Sequence, residues 1–228
     1  HVKAYVGGPD FSAFQYDMVS TGRRQVGSTV KPYLYTLAME EGMSPCDREM
    51  NAPITLQTSS GPWSPRNSSK ARIGESVTLR WGLANSNNWI SARVISHFTP
   101  EALVKLMHSF GIRSEIPPVV SLALGPCEVS VSEMVDAYTA FASKGIRVDP
   151  LYVTRIEDAN GNVIGTFTPK MEEIFSETTA YKMIYMLRSV VDEGTGGRVR
   201  SRYGLTMPMG GKTGTTQNNS DGWFMGIT

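Results

Sequence analysis

Residues 24–32 read Arg24-Gln25-Val26-Gly27-Ser28-Thr29-Val30-Lys31-Pro32, and the rest of the chain is organised around this stretch. It predicts a turn that runs into a helix with Ser28 at its start. Pro32 is tolerated in the first helical turn, because the N–H that it lacks has no partner there. Apolar residues continue at helical spacing to Ala38, and Gly42 is a natural stop. A helix this apolar is expected at the centre of the fold.

Ser28 and Lys31 are three residues apart, so they lie on one face of the predicted helix. A serine hydroxyl is a weak nucleophile until a base takes its proton, and a lysine can be that base if burial or neighbouring cations lower its pKa. The helix N-terminus adds free N–H groups and partial positive charge beside Ser28. The alternative interpretation is a capping serine and a surface lysine, and the S-x-x-K pattern alone does not separate the two.

Composition excludes several classes of function. The chain has 228 residues, of which 40% are hydrophobic, enough for a sizeable core in one large or two small domains. A formal net charge of +1 argues against a nucleic-acid partner and gives no attraction to anionic membranes. No run of eighteen apolar residues occurs, so no segment is expected to span a bilayer. The opening residues lack a signal peptide and resemble the middle of a strand, which suggests a piece of a longer protein.

Metal and disulfide chemistry have little support. The sequence has no C-x-x-C or H-E-x-x-H pattern, and His1, His97 and His108 are scattered. We therefore expect no metal site and no cofactor. Cys46 and Cys127 could pair in an oxidising compartment, although the simpler interpretation is two ordinary small residues.

Hydrophobic periodicity and turn signals predict an alternation of helices, strands and loops. Loops of functional importance are expected at 43–75, where Pro, Ser, Asn and Gly are frequent. After the first helix, the pattern predicts helices at 76–83, 89–98, 100–110, 131–144 (with a capping box from Ser130 to Glu133) and 176–192. Strands are predicted at 2–7, 152–157, 163–167, 207–216 and 221–228, the second and third forming a hairpin.

Two further polar patterns stand out along the chain. Ser86-Asn87-Asn88 separates two predicted helices, and an ordinary inter-helix turn would explain it. Gly211-Lys212-Thr213 invites a phosphate-loop interpretation, but that motif needs a glycine at the position of Thr206. A strand flanked by glycines fits close approach of a ligand to its backbone.

Three short patterns now stand in order, namely Ser28-x-x-Lys31, Ser86-x-Asn88 and Lys212-Thr213-Gly214. Together they are the signature of serine acyl-enzymes that process penicillins. The chain resembles a penicillin-binding protein transpeptidase domain, and more narrowly the transpeptidase half of a bifunctional, class A peptidoglycan synthase. The narrower resemblance rests on four segments: Arg24–Pro32, Ser121–Gly125, Gly194–Gly196, and Lys212–Thr216 followed by Asp221-x-Trp223-Phe224.

The resemblance implies an α+β fold, with an antiparallel sheet flanked by helices beside a mostly helical subdomain. It covers residues 1–228 as one incomplete transpeptidase domain, since in the family a last strand and a terminal helix follow the position of Thr228. A glycosyltransferase domain and a membrane anchor precede the position of His1 in the family. The implied location is the extracytoplasmic face of the bacterial inner membrane, with that anchor as the membrane link.

The resemblance also implies a D,D-transpeptidase inhibited by β-lactam acylation, with each motif in a named role. The implied catalytic residues are the nucleophile Ser28, its base Lys31, the proton relay Ser86, and Asn88, which binds the substrate amide. The implied substrate-binding residues are Lys212, Thr213, Gly214 and Thr215, with the N–H groups of Ser28 and Thr215 as oxyanion hole. Implied partners are a stem peptide ending in D-Ala-D-Ala, β-lactams and cell-wall synthesis proteins.

Three alternatives stay open on the sequence. A serine β-lactamase needs a carboxylate to activate water, and the E-x-x-L-N segment that carries it in class A enzymes is missing. A D,D-carboxypeptidase uses water in place of the acceptor amine, and the three motifs do not distinguish it. A sensor or scaffold would bind wall peptide or β-lactam in the same cleft without turnover.

Overall fold

A computed structural model describes residues 2–216 and 219–228 of the chain. Its helices are α1 (Lys31–Glu40), α2 (Leu79–Ala84), α3 (Asn88–Ile95), α4 (Pro100–Ser109), α5 (Val131–Ala142), α6 (Glu177–Asp192) and α7 (Arg198–Ser201). The 3-10 turns Gly27–Val30 and Val120–Leu124 accompany them.

The strands are short and form antiparallel pairs. They are β1 (Arg23–Gln25), β2 (Arg48–Met50), β3 (Leu56–Thr58), β4 (Gly61–Trp63), β5 (Ser76–Thr78), β6 (Glu128–Ser130), β7 (Ile146–Val148), β8 (Arg155–Glu157), β9 (Val163–Thr166), β10 (Met171–Glu173), β11 (Gly210–Thr215) and β12 (Gly222–Ile227). The pairs are β1–β6, β2–β5, β3–β4, β7–β10, β8–β9 and β11–β12. Helices combined with small antiparallel sheets confirm the predicted α+β class.

Helix α1 lies at the centre of the core, as its apolar sequence predicts. Nine of its ten residues are buried, and α3, α4 and α6 pack around it. Tyr33 contacts Phe110 at a ring-centroid distance of 4.8 Å, and Phe110 in turn lies 5.3 Å from both Phe141 and Phe175. This aromatic cluster fixes α1 relative to α4 and α5. The residues that begin α1 are therefore held on a rigid support.

Helix α5 braces the turn that precedes α1. It begins with the predicted capping box, in which Ser130 and Glu133 satisfy each other's backbone N–H groups. The buried Tyr138 hydroxyl on α5 donates a hydrogen bond of 2.7 Å to the Thr29 carbonyl. The turn that carries Ser28 is thus tied to a well-capped helix.

Some sequence predictions were wrong at the level of single elements. Residues 2–7 form no strand; their alternating side chains stay exposed, with Val2 at 73% and Val6 at 75%, because no strand among the described residues pairs with them. The helix predicted from residue 76 begins as strand β5, and α2 begins only where Thr78 caps it. Helix α3 begins one residue earlier than predicted and ends at Ile95.

Cys46 is exposed and Cys127 is buried, and both are free, as the simpler interpretation predicts. Across residues 2–216 and 219–228, every helix is too short or too polar to cross a membrane.

Candidate active site

Ser28 lies in the 3-10 turn directly before α1 and lines a cleft. Two backbone hydrogen bonds fix this turn: the Gly27 N–H donates to the Gly125 carbonyl at 3.0 Å, and the Val26 N–H donates to the Cys127 carbonyl at 3.2 Å. The Ser28 side chain is half-buried. A hydroxyl at this place is reachable by a ligand and has a fixed backbone behind it.

Gly125 packs directly against the Ser28 turn. Its φ of +76° lies in the left-handed region, and a Cβ there would meet the Gly27 carbonyl oxygen at 2.0 Å. We expect Gly125→Ala to lower the free energy of unfolding by about 3 kcal/mol or more, because the overlap is with backbone and no side-chain rotation relieves it.

Gly161 supplies the matched control for that substitution. It has a similar φ of +85° with nothing within 4 Å of an added Cβ. Gly161→Ala should therefore cost only the left-handed strain of about 1 kcal/mol. Urea unfolding of both variants checks this, and equal losses would contradict the role assigned to the Gly125 contact.

Lys31 is fully buried, so the alternative of a surface lysine is wrong. Its Nζ donates to the Ser86 carbonyl at 2.7 Å, to Asn88 Oδ1 at 2.7 Å and to Ser86 Oγ at 3.3 Å. Burial, followed by the repulsion of Lys212, holds the pKa of Lys31 well below its usual value. A lysine in this environment can be neutral, which is what a base requires.

Asn87, which lies between the predicted site residues Ser86 and Asn88, holds the Ser86 loop in place. Asn87 is buried, caps α3 by accepting from the Ile90 N–H at 3.0 Å, and donates to Asn51 Oδ1 at 2.8 Å. Ser86 itself has a left-handed φ of +52°. The polar run is therefore more than an inter-helix turn, because Asn87 anchors it while Ser86 and Asn88 both bond to Lys31.

Strand β11 places a second buried amine beside the first. Lys212 is fully buried, and its Nζ donates to Ser86 Oγ at 2.9 Å and to the Thr213 carbonyl at 2.9 Å. Burial lowers the pKa of Lys212 to about 7. The Ser86 hydroxyl consequently lies between two lysine amines and can pass a proton toward either side.

Gly214 and Thr215 bring β11 against the Ser28 turn. A Cβ on Gly214 would meet the Val26 carbonyl oxygen at 2.8 Å, and one on Gly27 would meet the Thr215 carbonyl oxygen at 2.9 Å. The close approach at Gly214 is thus made by the protein's own chain. A substrate-binding role for Gly214 stays a prediction.

The cleft itself has a volume of about 940 Å³, and Ser28, Asn88 and Thr215 are among its lining residues. The described residues that line it include no Asp or Glu, and Arg66 is their one charged side chain. With no acidic side chain among those described lining residues and with Lys212 bonded to Ser86, the local charge favours an anionic ligand.

Sequence reasoning missed the segment that forms one wall of this cleft, Trp63–Arg66. Asn88 Nδ2 donates to the Arg66 carbonyl at 2.7 Å, and the Trp89 indole donates to the Pro65 carbonyl at 3.0 Å. The loops at 43–75 were predicted to be functional, but no residue within them was singled out. The one sequence signal for this contact was the side-chain amide of Asn88, which needs hydrogen-bond partners and so indicates a loop beside it.

The structure also gives a structural role to four residues that the sequence analysis used only for the resemblance. Arg24 forms an ion pair with Asp221 at 2.6 Å, and the Trp223 indole donates to the Gln25 carbonyl at 2.9 Å. These contacts fasten β12 to the strand that leads into the Ser28 turn. The eight predicted site residues lie in or beside one region, because three of them line the cleft and the other five bond to one another or pack against the Ser28 turn.

Comparison with protein families gives one match that covers the whole chain. Residues 1–228 match the family described as "Penicillin binding protein transpeptidase domain". Penicillin-binding protein 1A of Rickettsia conorii is 32% identical over 252 residues, covering 100% of this chain and 31% of that protein. The protein of the same name from Neisseria gonorrhoeae is 34% identical over 236 residues, covering 99% and 29%. The chain thus spans less than a third of these relatives.

Solved structures show the same fold. Penicillin-binding protein 1A from Haemophilus influenzae aligns with a TM-score of 0.87 at 24% identity, covering 97% of this chain and 39% of that chain. Penicillin-binding protein A from M. tuberculosis, an imipenem acyl-enzyme complex, aligns with a TM-score of 0.76 at 18% identity, covering 92% and 52%.

Proposed function

The chain belongs to the penicillin-binding protein transpeptidase domain family, and from that premise we propose that it is a serine D,D-transpeptidase. It crosslinks peptidoglycan stem peptides through an acyl-enzyme on Ser28. The observation that carries the proposal is the arrangement of Lys31, Ser86 and Lys212. Two buried amines share one serine hydroxyl immediately behind a nucleophile turn.

Acylation begins with proton transfer from the Ser28 hydroxyl to neutral Lys31. The Ser28 oxygen attacks the carbonyl carbon between the two terminal D-alanines, and the carbonyl oxygen takes the negative charge. The backbone N–H groups of Ser28 and Thr215 stabilise that charge. As the C–N bond breaks, the departing D-alanine amine takes a proton from Lys31 through the Ser86 hydroxyl.

Deacylation reverses these proton movements with a different nucleophile. The amine of a neighbouring stem peptide attacks the acyl carbon and loses a proton to Lys31. The Ser28 oxygen leaves and takes that proton back, which regenerates the free enzyme and forms a new amide bond. Asn88, fixed by Lys31 and by the Arg66 carbonyl, offers its amide to the substrate's backbone.

The terminal carboxylate of the donor peptide binds at β11. Lys212 has a pKa of about 7 because it is buried, and a bound carboxylate favours its charged form and raises that value. Thr213 and Thr215 add hydroxyl donors on the same strand. The substrate therefore supplies the charge that keeps Lys212 protonated during the reaction.

A β-lactam fits the same scheme as a trapped substrate. Its ring amide takes the place of the D-alanyl peptide bond and its carboxylate that of the terminal D-alanine. After Ser28 opens the ring, the leaving amine stays attached and blocks the acceptor. The imipenem acyl-enzyme of the M. tuberculosis relative supports this extension to the present chain.

The setting of this reaction belongs to the proposal as well. Peptidoglycan stem peptides lie outside the cytoplasm, so we place the domain on the extracytoplasmic face of the bacterial inner membrane. A membrane anchor elsewhere in the full protein would hold it there. Cell-wall synthesis proteins are the partners expected beside it.

The test is to incubate the 228-residue chain with benzylpenicillin and measure its intact mass. We expect a gain equal to one whole benzylpenicillin, located on the tryptic peptide that carries Ser28. A stem-peptide analogue should release D-alanine and, with an added amine acceptor, give a crosslinked product. Folded protein without an adduct would refute the proposal. Hydrolysed peptide alone would identify a carboxypeptidase, fast penicillin hydrolysis a β-lactamase, and an adduct without released D-alanine a sensor.

A further inference from the structure

Thr195 contacts the site from an element that the proposed mechanism does not use. It follows the end of α6, and its hydroxyl oxygen lies 2.6 Å from the hydroxyl oxygen of Thr213. Thr195 is exposed, so nothing about core packing requires a threonine there. The contact joins residues 18 positions apart through side-chain hydroxyls alone.

The backbone around Thr195 is held firmly in place. The Thr195 N–H donates to the Ala84 carbonyl at 3.0 Å, and a Cβ on Gly194 would meet that same carbonyl oxygen at 2.1 Å. Ala84 ends α2, two residues before Ser86. The Gly194–Thr195 turn therefore packs against the end of α2, close to Ser86 in sequence. From there the Thr195 side chain reaches Thr213 on β11.

We propose that Thr195 is a positioning residue that orients the Thr213 hydroxyl toward the carboxylate of the bound peptide or β-lactam. The inference rests on the proposed function, because it concerns the carboxylate that Thr213 would bind. A hydroxyl has one proton to donate. When Thr195 donates to Thr213, the Thr213 proton is free for the carboxylate and is a stronger donor because it is itself polarised.

In the opposite direction of this hydrogen bond, Thr213 donates its one proton to Thr195 and has none left for the carboxylate. An anion arriving at β11 selects the productive direction, because only that direction points a proton at the negative charge. The effect of Thr195 should therefore depend on the charge of the ligand and not on its size or ring strain.

Thr195→Val keeps the shape of the side chain and removes the hydroxyl, and Thr195→Ser keeps the hydroxyl. The second-order acylation rate is measured with benzylpenicillin and with its methyl ester, which lacks the negative charge. We expect Thr195→Val to lower the rate with benzylpenicillin about fivefold and to leave the ester rate within about twofold of the native value. Thr195→Ser should match the native chain with both ligands.

An equal loss with acid and ester would overturn the inference, because a merely structural role predicts that result. An unchanged rate with benzylpenicillin would overturn it too. If the valine variant does not fold, Thr195→Ala replaces it with the same expectations. In a Thr213→Val background, Thr195→Val should have no further effect, and an additive loss would count against the inference. A native chain that benzylpenicillin does not acylate refutes the proposed function instead.

Discussion

The Ser28→Ala protein is expected to gain no mass from benzylpenicillin under conditions in which the native chain is fully acylated. Ser28 is the nucleophile of the proposed reaction, and alanine has no atom that can form the ester. The substitution removes one oxygen from a half-buried side chain, so the fold should survive. Intact-protein mass spectrometry measures the adduct, and the thermal unfolding midpoint shows that the variant is folded.

Ser44→Ala is the matched control for this experiment. Ser44 lies just beyond the other end of α1, is also half-buried, and falls on the same tryptic peptide as Ser28. This variant should acylate at the native rate. An undiminished adduct on the Ser28→Ala protein would place the nucleophile elsewhere and end the assignment of the site.

The central place of α1 was predictable from sequence, because the apolar run after Pro32 is a local pattern. Ser28 lies in the 3-10 turn that leads into α1 and Lys31 is the first residue of the helix, so their nearness in space follows from their spacing, while their catalytic pairing stays a prediction. The capping box at Ser130 was predictable for the same reason, since both partners lie within one turn. In each case the deciding interaction spans only a few residues.

Interactions between distant segments were beyond the reach of sequence patterns. Arg24 pairs with Asp221 across 197 positions, and Asn88 binds a loop 22 positions away. Strand 2–7 was predicted from alternation, yet alternation does not supply a pairing partner. Only the order of the three motifs indicated that their segments meet, and that information came from resemblance rather than from local chemistry.

The two buried lysines explain why the proposed mechanism uses all three motifs. Both amines are buried away from water, and burial lowers the pKa of each. At Lys31 the repulsion of Lys212 lowers the pKa further. Ser86 accepts from both, and in the proposed mechanism it links the neutral base Lys31 to the charged Lys212 that holds the carboxylate. Because the two amines repel, the protonated state of one favours the neutral state of the other.

Lys31→Gln is expected to lower the second-order rate of acylation by benzylpenicillin about 10³-fold. Glutamine retains a donor amide for the Ser86 carbonyl and Asn88 Oδ1, so the loop should stay in place while the base is lost. The thermal unfolding midpoint of the variant checks the fold, and a stopped-flow or mass-based time course gives the rate.

The pH profile separates loss of the base from loss of structure. The neutral amine is the active form of Lys31, so the native acylation rate should rise with pH through the lowered pKa of Lys31. It should fall again above pH 7, where Lys212, whose pKa is about 7 in the free protein, loses the charge that holds the ligand's carboxylate. Lys31→Gln has no group titrating at that position, and its residual rate should lack this rising limb. A variant that keeps the native profile, or more than about a tenth of the native rate, would show that another group takes the proton from Ser28. Lys212 would then be the candidate base, because the Ser86 hydroxyl that it contacts is the same one that contacts Lys31.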